Sequence, residues 1–545
     1  MWKAHLSTIN RLYNTPTRLN ALIALWITLT CNLPFFEKIS ALNPDTSALF
    51  IIATFVLLWA YLNLFLQLIS WRVLTKPMLL IMLFVSTSTA YCIYTFGVGI
   101  DAGQVQNLME TDLNESTSLF TFGTVLFYAV VFFPAVYWVW SAPRDTRQIW
   151  PKLRDKLLAI LFSLIAIGAV AGLYYANYAA TFRENRELRD YVTPHNFIAG
   201  LQKYYKQHQP MTVVPFETYG TDAKHTATLS NQKPKLLVFV LGETARAESF
   251  SLGGYARNTN PKLSQQDITY FDQVSSCGTA TAASLPCIFS GMQRSNYDET
   301  VAKNREGLLD IVQRAGYKVT WIDNQSGCKG VCDRVSSTPL LEAVKPKWCT
   351  DRDYCLDGIL VDTLQDFLQQ QPLQDRVIVM HQIGSHGPSY YQRYPRDSAP
   401  FMPDCTTNAI QTCDKQALVN SYDNSIAYTD QVLSGLIDQL AQDDRYQSSL
   451  VYVSDHGEST GEAGLYLHGA PYMFAPSQQT HVPMLAWFSP AFAAAHADQV
   501  HCMQQQKHAQ LSHDNIFHSI LGLLDIQTTV KNSALDLSDC RAVNP

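Results

Sequence analysis

The sequence predicts a membrane domain of five helices, followed by an α/β domain whose mainly parallel sheet is flanked by helices. Three observations support this fold class. Uncharged apolar runs crowd the first third of the 545-residue chain, strand-like and helix-like patterns alternate after Pro234, and ten of the twelve cysteines lie beyond that point. A chain of this length exceeds one ordinary hydrophobic core, so at least two domains are expected.

Five stretches without Asp, Glu, Lys or Arg predict the membrane helices, because a spanning helix needs about 20 apolar residues. Buried core helices are the alternative, and five such runs in succession argue against it. The first run is not a cleaved signal peptide, since no small-residue cleavage site follows Phe35-Phe36. The five stretches are residues 19–36, 46–71, 77–100, 116–143 and 157–182.

Basic residues in alternate loops predict the orientation of these helices. Lys and Arg precede the first run and follow the second and fourth, whereas the other loops hold only Lys38. The positive-inside rule therefore places the N-terminus in the cytoplasm, and five crossings deliver the chain after residue 183 to the periplasm. We expect an inner-membrane, multi-pass protein. The basic residues are Lys3, Arg11, Arg18, Arg72, Lys76, Arg144, Arg147, Lys152, Arg154 and Lys156.

The cysteines predict the same oxidising compartment. Ten of them lie in the polar part of the chain, and an even number at close spacing is typical of disulfides. A structural zinc site is the alternative, but the CxxC spacing is absent. The spacing favours the pairs Cys277–Cys287, Cys328–Cys332, Cys349–Cys355, Cys405–Cys413 and Cys502–Cys540.

The expected domains are a transmembrane domain over 1–182, an interfacial helix and linker over 183–233, and a periplasmic catalytic domain over 234–545. The formal net charge of −6 offers no basic surface for nucleic acid. In the last domain, Val-rich apolar runs predict buried strands and amphipathic runs between them predict helices. The strands are 235–241, 318–323, 376–382, 449–454 and 482–488, and the helices are 307–315, 356–370 and 416–440.

Acids and histidines follow several of these strands, where the active sites of parallel sheets gather. Glu243 follows the first strand, Asp455 and His456 follow the fourth, His386 follows the third, and His468 lies downstream. A single residue of this kind is more often structural. Together they predict a metal site, because carboxylate and imidazole ligands suit zinc.

Thr281 is the candidate nucleophile. It lies between Cys277 and Cys287 and is expected to begin a helix that runs to about Phe289. A helix N-terminus suits a phosphate, and a nearby metal ion would ease deprotonation of the hydroxyl. The alternative is a simple N-cap, which would be the better explanation if Thr281 stood alone.

These segments together resemble the lipid A phosphoethanolamine transferases of the alkaline phosphatase superfamily, a family that includes enzymes of polymyxin resistance. The resemblance extends over essentially the whole chain, including the five-helix start. It implies an alkaline phosphatase-like fold for the periplasmic domain. The segments that carry it are Gly242–Glu248, Gly253–Arg257, Cys277–Cys287, Ser385–Pro388 with Tyr390–Tyr391, and Ser454–Ser459.

The resemblance implies a role for each site residue. Glu243, Thr281, Asp455 and His456 would surround one zinc ion, and Thr281 would accept the phosphoethanolamine group. His386 and His468 would assist near the transferred phosphate or bind a second metal ion. It also matches the cysteine pairs to family disulfides. The implied substrate-binding residues are Lys329, Gln325, Asn107, Thr111 and Glu115.

The implied reaction takes phosphoethanolamine from phosphatidylethanolamine and gives it to a phosphate of lipid A through a Thr281 adduct. The partners are then these two lipids and the surrounding membrane lipids, and the enzyme is expected to be a monomer. The product lowers the negative charge of the cell surface. Other acceptors would use the same motifs: a core heptose, a Kdo sugar or a periplasmic glucan.

Two further classes of function remain as alternatives. The first is a phosphatase, sulfatase or phosphoglycerol transferase of the same superfamily, and a sulfatase would need Cys or Ser where Thr281 stands. The second is a membrane anchor with a binding-only domain. The complete set of ligand residues argues against such a scaffold.

Overall fold

The chain forms two compact units in a computed structural model. The first unit comprises Met1–Val105 and Phe120–Lys206, and the second comprises Gln106–Leu119 and Gln207–Pro545. The residues that the structure describes are 15–42, 48–71, 74–110, 120–143, 145–208, 215–226, 233–349 and 355–543.

The N-terminal part is helical, and its long helices overlap the predicted apolar runs. The fifth run, 157–182, is divided at Tyr174 between the helices Ile149–Leu173 and Tyr175–Glu184. Among the described residues, four helical stretches are long and apolar enough to cross a membrane, and a bent pair would make a fifth. A π-helical turn, Tyr128–Phe132, joins the helix Phe122–Phe127 to the helix Phe133–Ser141. The helices are α1 Pro16–Thr30, α2 Leu33–Leu42, α3 Ala48–Ile69, α4 Thr75–Phe96, α5 Ala102–Glu110, α6 Phe122–Phe127, α7 Phe133–Ser141, α8 Ile149–Leu173, α9 Tyr175–Glu184 and α10 His195–His208.

The first predicted span is a bent pair of helices rather than one straight helix. α1 and α2 meet at 48°. Pro34 has no N–H to offer the carbonyl of Thr30, so the helical ladder is interrupted there. Buried Asn32 then bonds elsewhere: its Nδ2 donates to the carbonyl of Thr193 at 3.0 Å, and its Oδ1 accepts from the Thr193 N–H at 2.9 Å.

The second unit alternates strands and helices as the sequence predicts. Its strands are β1 Lys224–His225, β2 Lys235–Gly242, β3 Ile268–Ser275, β4 Lys318–Asp323, β5 Ser336–Thr338, β6 Arg376–His381, β7 Gln447–Ser454, β8 Ser459–Thr460, β9 Tyr466–Leu467, β10 His481–Phe488, β11 Leu511–Ser512 and β12 Ile526–Gln527. Its helices are α11 Thr281–Ser290, α12 Glu299–Lys303, α13 Leu308–Arg314, α14 Lys345–Trp348, α15 Gly358–Gln370, α16 Lys415–Gln442, α17 Ser477–Thr480, α18 Pro490–Ala495, α19 Ala497–Gln505 and α20 Asp514–Leu523.

Eight of the described strands form the central sheet in the order β11-β3-β10-β7-β2-β6-β4-β5. β10 runs antiparallel to both of its neighbours, and every other adjacent pair is parallel. The predicted fold class, a mainly parallel sheet flanked by helices, is therefore confirmed. The sheet is wider than the sequence predicted, since β3, β5 and β11 lie outside the five expected strands.

The central strand β2 explains why these strands appear as unbroken apolar runs. All eight of its residues are buried. Side chains alternate between the two faces of a sheet, and Leu237 and Phe239 belong to one hydrophobic core whereas Leu236 and Val238 belong to the other. Helices cover both faces, so neither set of side chains meets water.

Disulfides tie the loops around this sheet. Over the described residues from 233 onward, the bonded pairs are the five that the sequence favours: Cys277–Cys287, Cys328–Cys332, Cys349–Cys355, Cys405–Cys413 and Cys502–Cys540. The two cysteines of the helical part, Cys31 and Cys92, are unbonded.

Candidate active site

The register of two central strands brings the predicted carboxylates together. β2 and β7 are parallel neighbours, and Gly242 at the end of one pairs with Ser454 at the end of the other. Glu243 and Asp455 are the next residues of the two strands, so they lie side by side at the carboxyl edge of the sheet. Both residues are fully buried.

Helix α11 brings the candidate nucleophile to the same place. Thr281 is the first residue of this helix, as the sequence predicts, and the disulfide between Cys277 and Cys287 ties the segment. The Thr281 hydroxyl donates a hydrogen bond to Oε2 of Glu243 at 3.0 Å and lies 3.4 Å from Nε2 of His456. The hydroxyl therefore lies among the candidate metal ligands.

His456 presents one nitrogen to the site. Its Nδ1 lies 2.9 Å from the carbonyl oxygen of Gly457, which can only accept, so Nδ1 carries a proton. Its Nε2 then lies 3.4 Å from Oε1 of Glu243 and 3.4 Å from Oδ2 of Asp455. One ligand atom from each of these three residues falls within 4.8 Å of the others.

The donor set fits a divalent metal cation. Oε1 of Glu243 and Oδ2 of Asp455 are buried without a hydrogen-bond partner among the described residues. Leaving buried carboxylate oxygens unpaired is costly, and a cation between them would satisfy both. Two carboxylates, an imidazole and a hydroxyl are the ligand types of tetrahedral zinc sites.

The same groups perturb one another's protonation. Burial raises the pKa of Glu243, but the neighbouring imidazolium of His456 outweighs burial and holds that pKa below its usual range. Burial and the charge of Glu243 raise the pKa of Asp455. Burial lowers the pKa of His456, yet Asp455 and Glu243 raise it overall to about 10. Metal binding must displace this proton, so the two events are coupled.

The remaining predicted histidines adjoin this group. The ring of His468 lies 4.5 Å from that of His456 between centroids, and the ring of His386 lies 5.4 Å from that of His468. The carboxylate of Glu458 lies 3.4 Å from Nδ1 of His468 and is itself fully buried. The imidazoles of His468 and His386 therefore form a series of neighbouring rings that starts at His456.

Two family models match the chain. One, described as "Sulfatase", matches residues 235–526, and the other, described as "Phosphoethanolamine transferase EptA/EptB", matches residues 58–209. Phosphoethanolamine transferase EptA of Escherichia coli strain K12 is 40% identical over 537 residues, with 96% of each chain covered. The chain belongs to the phosphoethanolamine transferase family.

Other relatives extend over both parts of the transferase. Phosphatidylethanolamine transferase Mcr-1 of Escherichia coli is 34% identical and covers 96% of this chain and 97% of its own. The structure of the integral membrane lipooligosaccharide phosphoethanolamine transferase A from Neisseria meningitidis superposes with a TM-score of 0.90 at 36% identity, covering 95% and 97% of the two chains. The transferase is accordingly a multi-pass inner-membrane enzyme with a periplasmic catalytic domain, as the sequence predicted.

The structure describes three of the five expected substrate-binding residues, and each lies in a different place. Gln325 contacts the site directly, because its Nε2 donates to Oε2 of Glu243 at 2.8 Å. Lys329 lines a cleft of about 360 Å³ that also contains Ala282, the residue after the candidate nucleophile. Asn107 lies in α5. Thr111 and Glu115 lie outside the described residues.

Lys329 has an unusual backbone. Its φ of 50° lies in the left-handed region, which a non-glycine residue adopts at a cost of about 1 kcal/mol or more. Its Nζ lies 3.4 Å from Oγ of Ser326. The disulfide from Cys328 to Cys332 constrains the same loop, so the ammonium group is held in the wall of the cleft.

Sequence reasoning missed His513, which joins two segments of the site. Its Nδ1 accepts from the Cys277 N–H at 3.0 Å, and its Nε2 donates to the Ser454 carbonyl at 3.0 Å. Burial lowers the pKa of His513 to about 3, so the ring is neutral. No motif marks this residue, since it lies beyond β11 and reaches the site only through the fold. Glu458 was also missed, although it stands inside the recognised segment Ser454–Ser459.

Proposed function

We propose that this transferase moves phosphoethanolamine from phosphatidylethanolamine to a phosphate of lipid A through a covalent intermediate on Thr281. The observation that carries the proposal is the position of the Thr281 hydroxyl, 3.0 Å from Glu243 and 3.4 Å from His456 at the start of α11. The names of two relatives support this donor and acceptor, because one is called a phosphatidylethanolamine transferase and the other a lipooligosaccharide phosphoethanolamine transferase.

We further propose zinc as the metal, held by Glu243, Asp455, His456 and Thr281. Bound zinc supplies a Lewis acid that stabilises developing charge and favours the ionised hydroxyl. A second ion near His386 and His468 is compatible with their neighbouring rings.

The first half-reaction begins with phosphatidylethanolamine at the N-terminus of α11. Backbone N–H groups of the first helical turn suit the phosphate oxygens. The Oγ of Thr281 forms a bond to phosphorus, and the phosphorus–oxygen bond to diacylglycerol breaks. The hydroxyl proton of Thr281 passes to the departing diacylglycerol oxygen, and His468 or His386 is placed to carry it.

The second half-reaction reverses these roles. A lipid A phosphate oxygen forms a bond to the phosphorus, the bond to Thr281 breaks, and the hydroxyl recovers its proton. The product carries an added amine, so the outer surface becomes less negative and binds cationic peptides such as polymyxin more weakly.

The proposed division of labour follows the domains. Residues 234–545 perform the chemistry, whereas the membrane residues 1–182 hold the lipids and 183–233 connect them, in an enzyme that acts as a monomer. Two groups of side chains are proposed to hold substrate. They are Lys329 and Gln325 near the metal site, and Asn107, Thr111 and Glu115 on the periplasmic side of the membrane domain.

Intact-protein mass spectrometry tests the covalent step. Enzyme incubated with donor alone should gain one phosphoethanolamine, and peptide mapping should place it on Thr281. Thr281→Ala should show no adduct and lose turnover by several orders of magnitude, while Thr281→Ser keeps part of both because a hydroxyl remains. Thr279→Ser, two residues away and losing only a methyl group, serves as the matched control. Near-normal turnover by Thr281→Ala would contradict the proposal.

Two measurements test the metal and the acceptor. Elemental analysis of the purified enzyme should find zinc, and Asp455→Asn should lower the zinc content. Mass spectrometry of lipid A from cells that express the transferase should show added phosphoethanolamine on a phosphate. Modification of a core heptose or Kdo sugar instead would replace lipid A phosphate as the acceptor.

A further inference from the structure

The cytoplasmic end of the membrane domain contains a cavity of about 930 Å³ that the transfer reaction does not use. Its walls come from the first turns of α1, α4 and α8 and from the ends of α3 and α7. The chain that follows α8 is periplasmic, so the first turn of this membrane helix lies on the cytoplasmic side. The cavity therefore lies at the depth of the inner-leaflet headgroups.

Three lysines line this cavity, and each ammonium group touches a backbone carbonyl. Lys76 donates to the carbonyls of Trp140 and Ala142 at 3.0 and 2.6 Å. Lys152 donates to the Asp145 carbonyl at 2.8 Å, and Lys156 to the Ser70 carbonyl at 2.6 Å. Such bonds are usual near the C-terminal ends of helices. They use one or two of the three N–H groups of each lysine, so helix capping does not account for the whole charge.

None of these three lysines forms an ion pair with a carboxylate in the part of the chain that the structure describes. Arg147 also lines the cavity, but it forms ion pairs with Asp145 at 3.0 Å and Asp155 at 2.7 Å. Within the described residues, neither Lys76, Lys152 nor Lys156 has a carboxylate oxygen within 4.0 Å. The described lining is therefore net positive.

The rest of the lining contains both polar and apolar side chains. Buried Asn20 and Gln67 are bonded to each other, with Nδ2 of Asn20 donating to Oε1 of Gln67 at 3.1 Å. The apolar side chains of Ile149 and Leu153 also line the cavity. A ligand that fits this lining has an anionic group next to an apolar part. A phospholipid headgroup with its glycerol and upper acyl chains has that composition.

We propose that this cavity binds the headgroup of an anionic phospholipid from the cytoplasmic leaflet, recognised as a phosphodiester without a compensating amine. Basic pockets between membrane helices on the cytoplasmic side are suited to such headgroups. The zwitterionic donor, phosphatidylethanolamine, is disfavoured because its own amine would face the three ammonium groups. A bound phosphodiester would bridge α4 and α8 through Lys76 and Lys152, and so stabilise the cytoplasmic end of the domain.

Native mass spectrometry of the full-length transferase, titrated with phosphatidylglycerol or phosphatidylethanolamine, tests this site. Phosphatidylglycerol should bind at least tenfold more tightly, and the affinity should fall as salt rises. The double variant Lys152→Gln, Lys156→Gln should bind phosphatidylglycerol about 25-fold more weakly, which is roughly fivefold for each lysine. Arg154→Gln is the matched control: it removes a charge from the same helix, but Arg154 is 73% exposed and does not line the cavity.

Two further arms keep the test decisive. The double variant should transfer phosphoethanolamine at the wild-type rate, which shows that it is folded, and Lys152→Arg with Lys156→Arg should restore lipid binding. Inorganic phosphate at millimolar concentration should not displace phosphatidylglycerol from the cavity. The proposal is overturned if phosphatidylglycerol binding is unchanged in the double variant, if it falls equally in Arg154→Gln, or if inorganic phosphate replaces the lipid.

Discussion

Gly457 offers a sharp test of how closely the backbone next to the proposed metal ligand His456 is positioned. It follows His456, and its N–H donates to the carbonyl of Gln479 at 3.0 Å. A Cβ atom added here would lie 2.0 Å from the backbone carbonyl oxygen of Gln478, whereas real Cβ contacts are essentially never below 3.0 Å. Gly457→Ala must therefore displace one of two backbone segments by about 1 Å. A shift of the backbone at Gly457 also moves the imidazole of the preceding residue, His456.

The expected result is a loss of at least about 100-fold in kcat/KM, since a displacement of about 1 Å at reacting groups costs that much. The assay follows release of diacylglycerol from a fluorescent phosphatidylethanolamine, alongside zinc content and a melting curve. Gly435→Ala in α16 is the control. Its Cβ would meet Val361 at an ordinary 3.5 Å, so activity should stay and stability should rise by about 0.5–1 kcal/mol. Gly457→Ala with wild-type activity and zinc content would refute the reasoning.

Three other predictions address stability. Replacing the Cys502–Cys540 disulfide by serines should cost about 4 kcal/mol of unfolding free energy, and the Cys328–Cys332 disulfide about 2 kcal/mol, because the closed loops differ in length: the separations are 38 and 4 residues. Urea titrations that order the two losses the other way would contradict the loop-entropy argument. Neutral, buried His513 has a pKa of about 3 against 6.5 when unfolded, so the unfolded state binds more protons between these values. Stability is lost as pH falls from 6.5 towards 3, and His513→Asn should flatten that slope in melting curves. Dialysis against a chelator should lower the melting temperature, and zinc at about 100 times its dissociation constant should return roughly 2.7 kcal/mol. An unchanged melting curve would contradict a structural effect of the metal.

Five of the eight strands of the central sheet could be predicted from the sequence, whereas β3, β5 and β11, which lie nearer its edges, could not. The prediction for the run 318–323 has the bounds that the structure shows, because the four central residues of this strand are buried and three of them are apolar. The sequence does not predict β3, Ile268–Ser275, because Asp272 and Gln273 interrupt its apolar run, and only three of its eight residues are buried. The direction of β10 could not be predicted either, since a short apolar run is the same in parallel and antiparallel pairs.

The candidate site was predicted where recognisable segments follow strands, and missed where only the fold brings residues together. Glu243 and Asp455 were found because both end strands that were themselves predicted. The role of His513 depends on two hydrogen bonds to segments more than 50 residues away, which no local pattern encodes. The bend after α1 had a local signal in Pro34, but the partner that stabilises it, Thr193, lies in a distant segment.

The pairing of Gly242 with Ser454 has a consequence for the order of events in folding. The two carboxylates that follow these residues become neighbours only when β2 and β7 have joined in their native alignment. A slip of one residue would turn one of them to the opposite face of the sheet. A metal ion that uses both carboxylates therefore finds its full set of ligands only after these strands have aligned. After refolding, the fraction of chains that bind metal should thus equal the fraction whose strands β2 and β7 are correctly aligned.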